Sequence, residues 1–260
     1  MCFPYAAVPP EIPRALRAHP PMAGGAPGER LELTSEDGTR FSAYLARAAE
    51  PGRSGVVVLP DVRGLFRFYE TLAERFAEAG HTAIAMDYFG RTAGLGPREE
   101  DFEYMPHVGQ TRAETVSMDV AACVARLREE GVEAIVTVGF CFGGAQSFLQ
   151  AAAGHGLAGV IGFYGPPVAV REGMPSPIEH VREFACPVLG LFAGDDHAIK
   201  PEHVAAFEEA LTEAGIEHEL ITYPGTPHSF FDRTQDQYRE ASEDAWKQVL
   251  GFIGGAVAVA

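Results

Sequence analysis

The chain has 260 residues, 47% of them hydrophobic and 22% charged, the balance of a folded globular protein rather than of a disordered or fibrous one. Its 36 Asp and Glu against 20 Lys and Arg leave a net charge of −16, a surface field that repels nucleic acid and anionic lipid, so neither is expected as a partner. No apolar run is long enough to span a bilayer and no basic-then-apolar leader is readable. Four scattered cysteines (Cys2, Cys123, Cys141, Cys186) without a C-x-x-C pair fit a reduced, cytoplasmic protein better than a disulfide or zinc scaffold.

Residues 1–30 hold seven prolines and three glycines with little periodicity and read as an irregular arm. Leu31–Thr34 and Arg40–Arg47 follow as short strands around the Asp37-Gly38 turn. From there strands and helices alternate. Gly55–Pro60 is a continuous β-branched run, the mark of a strand buried on both faces. Phe68–Ala79 has helical spacing and stops at Gly80, and Thr82–Asp87 is the next strand. The pattern predicts helices over Gln110–Glu130, Phe142–Ala153, Pro201–Ala214 and Gln237–Ile253. It predicts strands over Ala134–Phe140, Gly159–Tyr164, Pro187–Ala193 and Glu217–Tyr223. Strands separated by helices imply a mainly parallel, doubly wound sheet of about eight strands flanked by helices. No linker or repeat divides it, so residues 31–254 are expected to form a single α/β domain, with 255–260 as a tail.

In an open parallel sheet, ligands collect beyond the carboxyl ends of the strands. After Ala134–Val138 comes Gly139-Phe140-Cys141-Phe142-Gly143-Gly144, running straight into an apolar helix. This is a nucleophile elbow with Cys in the place of Ser: glycines let strand and helix approach, and the thiol emerges at a helix N-terminus, where amide N–H groups favour thiolate. Cys123 and Cys186 read as packing. An activated thiol needs a His base, and the His an orienting carboxylate. Gly194-Asp195-Asp196-His197 follows one strand and Pro227-His228-Ser229 the next, giving the order nucleophile, acid, His that α/β-hydrolases use. His107 falls in a loop that can cross the site mouth. The carboxylates and histidines lack a metal-ligand spacing, so neither metal nor cofactor is expected.

These residues resemble the dienelactone hydrolase (carboxymethylenebutenolidase) family, across roughly residues 30–253. The matching segments are GVVVLPDVRGL at 55–65, AIAMDYFGR at 83–91, VGFCFGG at 138–144, GDDHAIKP at 194–201 and YPGTPHSFF at 223–231. The resemblance implies an α/β-hydrolase fold and a small-molecule lactone or ester substrate, cleaved through Cys141 as nucleophile, His228 as base and Asp196 as orienting acid, with Asp195 the fallback. It implies Asp61 as the acid that gates the thiol, one methylene shorter than the family's usual Glu, and Arg91 and Arg233 as holders of a substrate carboxylate. Arg233 lies one residue further from His228 than the family spacing. Position assigns the oxyanion hole to the backbone N–H groups of Val62 and Phe142. Tyr88, Phe89, Phe102, Tyr104 and Tyr164 are candidates for the pocket lining. The rival readings are a general carboxylesterase or thioesterase on the same scaffold and a non-catalytic thiol sensor; the chain is expected as a monomer or small homo-oligomer.

Overall fold

The computed structural model describes residues 6–17, 28–50, 52–170, 174–232 and 234–259. Eight strands form one sheet: β1 (Glu29–Thr34), β2 (Arg40–Ala46), β3 (Ser54–Leu59), β4 (Thr82–Met86), β5 (Ala134–Phe140), β6 (Gly159–Phe163), β7 (Val188–Ala193) and β8 (His218–Tyr223). Their order is β1-β2-β4-β3-β5-β6-β7-β8. The hairpin strand β2 runs antiparallel to both β1 and β4, and β3 to β8 pair parallel. The sheet therefore has the expected α/β-hydrolase form, with β3 and β5 side by side at its centre.

Every residue of β3 and β5 is buried, as their unbroken apolar sequence requires. The pleat divides them: Val56, Val58, Val136 and Val138 enter one core, Val57, Leu59 and Ile135 the other. The first core is closed by α1 (Arg67–Glu78) and by the later helices α6 (Pro201–Ala214) and α7 (Arg239–Val259). The second is closed by α4 (Ala113–Glu129), which lays Val116, Val120, Cys123, Val124 and Leu127 against the sheet. Two single-turn helices, α2 (Gly90–Ala93) and α3 (Met105–Val108), lie between β4 and α4, and α5 (Phe142–Leu149) follows β5. Among the described residues no helix is long and apolar enough to cross a membrane.

Most boundaries shift by a residue or two from the sequence reading, α5 ends at Leu149 rather than Ala153, and three further differences are these. β1 begins two residues early, because Glu29 and Arg30 continue the ladder opposite Leu45 and Tyr44. α4 begins at Ala113 rather than Gln110, because Arg112 is extended (φ −121°, ψ 143°) and acts as its N-cap. The last helix runs to Val259, through the segment read as a tail: nothing after Ile253 breaks the helical backbone, although Gly254 and Gly255 face open space. In the N-terminal arm, a single 3-10 turn spans Arg14–Leu16, Ile12 is buried in the first core, and the Trp246 indole donates to the Pro10 carbonyl at 3.2 Å.

Candidate active site

The ends of β3, β5, β6, β7 and β8 place the site. Cys141 stands between β5 and α5 with φ 54° and ψ −115°, a backbone conformation that L residues rarely adopt. Its N–H donates to the Phe163 carbonyl at 3.0 Å, and its carbonyl accepts from Gly144 N at 2.9 Å, the first turn of α5. The elbow closes only because its neighbours have no side chains. A Cβ on Gly139 would overlap the Gly143 carbonyl, and one on Gly143 would overlap the carbonyls of Leu59 and Pro60.

The loops after β7 and β8 bring up the partners. The Nδ1 atom of His228 lies 2.6 Å from Asp196 Oδ2, and its N–H donates to the carboxylate. The other carboxylate oxygen accepts the backbone N–H groups of Ala198 and Ile199 at 2.8 and 3.1 Å. Burial opposes the Asp196 charge, but the His228 hydrogen bond, the imidazolium's field and those two amides outweigh it and hold the carboxyl below its ordinary range. Burial likewise pushes the His228 imidazole down; its hydrogen bonds to Asp196 and to the Cys141 thiol prevail and raise it to about 10. Cys141, His228 and Asp196 thus form one array. Asp195, the fallback acid, is exposed, and its N–H is bound to the Thr226 carbonyl. Phe142 opens α5, where no preceding helical carbonyl can take its N–H. Val62, half-buried, lies in the turn after β3.

Other expected site residues are placed differently. Arg91 is engaged within the protein: Nη1 binds both oxygens of the buried Asp119 at 2.9 and 2.7 Å and Nε binds Asp37 at 2.9 Å, while the buried Nη2 has no partner. Asp119 comes from α4 and Asp37 from the β1–β2 turn, so Arg91 ties the short α2 to both. Replacing Arg91 with Ala leaves Asp119 buried without its counter-charge. The expected loss is about 3 kcal/mol of stability by urea unfolding, with no change in preference between carboxylate-bearing and neutral esters. A selective rise in KM for the carboxylate-bearing ester would restore Arg91 to the cleft.

Tyr88 is also a support rather than a substrate contact. It is buried, its hydroxyl donates to the Pro60 carbonyl at 2.9 Å, and its ring stands edge-on to Phe142. The Asp61 carboxylate is turned to Arg63, accepting its N–H at 2.9 Å with Nε at 3.5 Å. Arg233 lies outside the described residues. Tyr164 is fully buried with its ring 5.0 Å from that of His228, while Phe102 stacks on His107 and Phe89 meets the same imidazole at a tilt.

Sequence reading missed three features. Asp87 accepts from Leu65 N and Phe89 N and forms a buried ion pair with Arg98 at 2.8 Å, which fastens the loops after β3 and β4 together. Besides Cys141, the described residues other than Gly with positive φ are Tyr164 (37°) and Ser229 (64°), and both adjoin the site. Asp232, four residues beyond His228, is wholly buried and its oxygens accept no hydrogen bond. Its signal in the sequence is a lone acid closing the apolar Phe230-Phe231 pair.

The model of the dienelactone hydrolase family matches residues 41–257. A Saccharolobus solfataricus protein provisionally named a carboxymethylenebutenolidase is 27% identical over 264 residues, covering 86% of this chain and 98% of its own. A Bradyrhizobium protein provisionally named a 2-oxo-3-(5-oxofuran-2-ylidene)propanoate lactonase is 29% identical over 81% of this chain and 88% of its own. Among solved structures, a provisionally named dienelactone hydrolase from Klebsiella pneumoniae superposes with a TM-score of 0.73 at 25% identity, covering 87% of this chain and 99% of that one.

Proposed function

The chain belongs to the dienelactone hydrolase family, and on that premise we propose that it cleaves a lactone or activated ester through a thioester on Cys141, with Asp196 and His228 completing the machinery. The observation that carries this reading is the continuous array from the Asp196 carboxylate through the His228 imidazole to a thiol at the start of α5.

The raised imidazole basicity favours imidazolium beside thiolate. The thiolate sulfur attacks the carbonyl carbon, and the carbonyl electron pair moves to oxygen, where the N–H groups of Val62 and Phe142 receive it. Collapse breaks the bond to the enol or alcohol oxygen, which takes its proton from His228. Water, giving a proton back to His228, then hydrolyses the thioester and frees the carboxylic acid and Cys141. A thiolate expels enolates and activated alkoxides far better than alkyl alkoxides, which favours enol-lactones and activated esters. Val62, Phe102, Tyr104, Val108 and Met174 pack on the second core as a partly buried apolar group, and two of the three Arg91 guanidinium nitrogens are bound to Asp37 and Asp119. Both facts favour an acyl group that needs no free carboxylate.

Rapid mixing with p-nitrophenyl acetate, acid quenching and peptide mass spectrometry tests the reading. The expected result is a burst of nitrophenol with one acetyl group on the peptide containing Cys141. Steady turnover with no acyl group on that peptide, or an acetyl on another side chain, overturns it.

A further inference from the structure

The array just described leaves one buried ionisable group unused. Asp232 is 1% exposed and neither carboxylate oxygen has a hydrogen-bond partner. A buried carboxylate in that state is among the costliest groups a protein can hold, and the usual escape is to keep the proton. Its surroundings come from four segments. Asp61, paired with Arg63, faces it from the turn after β3, Tyr69 from α1, Tyr164 from the end of β6, and His228 and Ser229 from its own loop; Cys141 adjoins Tyr164 and His228 in turn. The Tyr164 and Ser229 hydroxyls are near enough to favour its anion, but they close no hydrogen bond of ordinary geometry.

The charges in this group do not balance. Among the described residues, His228 is the cation that acts on Asp232, and it is already matched by Asp196 and the thiol. Among those residues no cation meets either Asp232 oxygen. We propose that Asp232 is a positioning acid of this site: it carries a proton in the active enzyme, and its ionisation places an unbalanced negative charge behind Cys141 that suppresses attack. Burial first, and the charge of Asp61 second, push the Asp232 carboxyl up to about 7, so the change falls where the enzyme can use it. The same linkage sets a sign for stability. The folded state holds this proton more tightly than the unfolded chain, so stability is lost as pH climbs from the ordinary carboxyl range through that value, and Asn in place of Asp232 removes the loss.

The inference rests on Cys141 as the nucleophile, and the test separates the two. In wild type and in Asp232→Asn, kcat/KM for p-nitrophenyl acetate and the rate of iodoacetamide alkylation of the Cys141 peptide are measured from one unit below to one unit above about pH 7. In wild type both rates fall by about tenfold across that window; in Asp232→Asn neither does. If alkylation shows the contrast while no hydrolysis occurs, Asp232 acts as proposed and the hydrolase reading fails. If hydrolysis proceeds and the two profiles coincide, Asp232 is only packing. Should Asp232→Asn not fold, infrared spectra of wild type and Asp61→Asn decide. A protonated-carboxyl band that titrates near neutrality in wild type and persists, at a lower pH, in Asp61→Asn supports Asp232; its absence from wild type, or its loss in Asp61→Asn at every pH, overturns the proposal.

Discussion

Cys141→Ala and Cys141→Gly are expected to be equally inactive and yet to melt at different temperatures, the glycine variant higher. Removing the sulfur removes the acyl carrier, so kcat/KM falls by about 1,000-fold or more, and only the catalysis that oriented amides give to water remains. Stability follows the backbone instead. At φ 54° and ψ −115° any Cβ is crowded, and such a residue costs about 1–3 kcal/mol. Alanine keeps the Cβ and therefore the strain. Glycine releases it, against about 0.5–1 kcal/mol of extra freedom in the unfolded chain. The net gain of about 1 kcal/mol raises Tm by about 2–4 °C in a domain of this size. Calorimetry beside an ester assay reads both quantities. A glycine variant that melts below the alanine variant shows that the elbow is not strained.

Gly139→Ala is expected to be the most damaging single-methyl change in the chain. The new Cβ would sit against the Gly143 carbonyl and 2.8 Å from the Gly144 nitrogen, all of it backbone, so no side chain can rotate aside. Strand β5 and helix α5 must part, and β5 is a central strand with neighbours on both edges. An overpacking of this kind costs about 3–5 kcal/mol, a large share of a total stability of about 5–15 kcal/mol. Gly251→Ala is the control. It adds the same methyl inside α7 with nothing within 4 Å, and helix propensity makes it stabilising by about 0.5–1 kcal/mol. Urea midpoints give the contrast directly. A small effect at Gly139 shows that the elbow has slack.

The parts of the molecule that could be read from sequence are those whose cause is local. GVVVL can only be a strand buried on both faces, and GFCFGG joins a strand to a helix around a thiol because of the residues inside it. The family resemblance already preferred Asp196 to Asp195, and the fold shows the local geometry behind it: Asp196 Oδ1 is tied to two amides of its own turn and Oδ2 meets His228, whereas Asp195 is exposed. The ion pairs of Arg91 were not legible, because its partners lie 54 residues before and 28 after it and nothing near AIAMDYFGR signals that Asp37 and Asp119 will meet there. The hydrogen bond of Tyr88 was hidden for a similar reason. A tyrosine at a strand end looks available until the Pro60 carbonyl is seen to accept its hydroxyl. The short helices α2 and α3 have too few residues to show a period, and Asp232 gains its meaning only from Asp61, 171 positions earlier.

The first segment of the chain is held by the last. The Val8 and Pro10 carbonyls accept from Gln235 and Trp246, while Ile12 fills the core beside α7. During synthesis the ribosome makes the arm before every strand, yet its binding partners emerge only after all eight strands. The arm thus precedes the strands in synthesis and follows them in docking. Until then Ile12 is a loose apolar residue that a chaperone can grip.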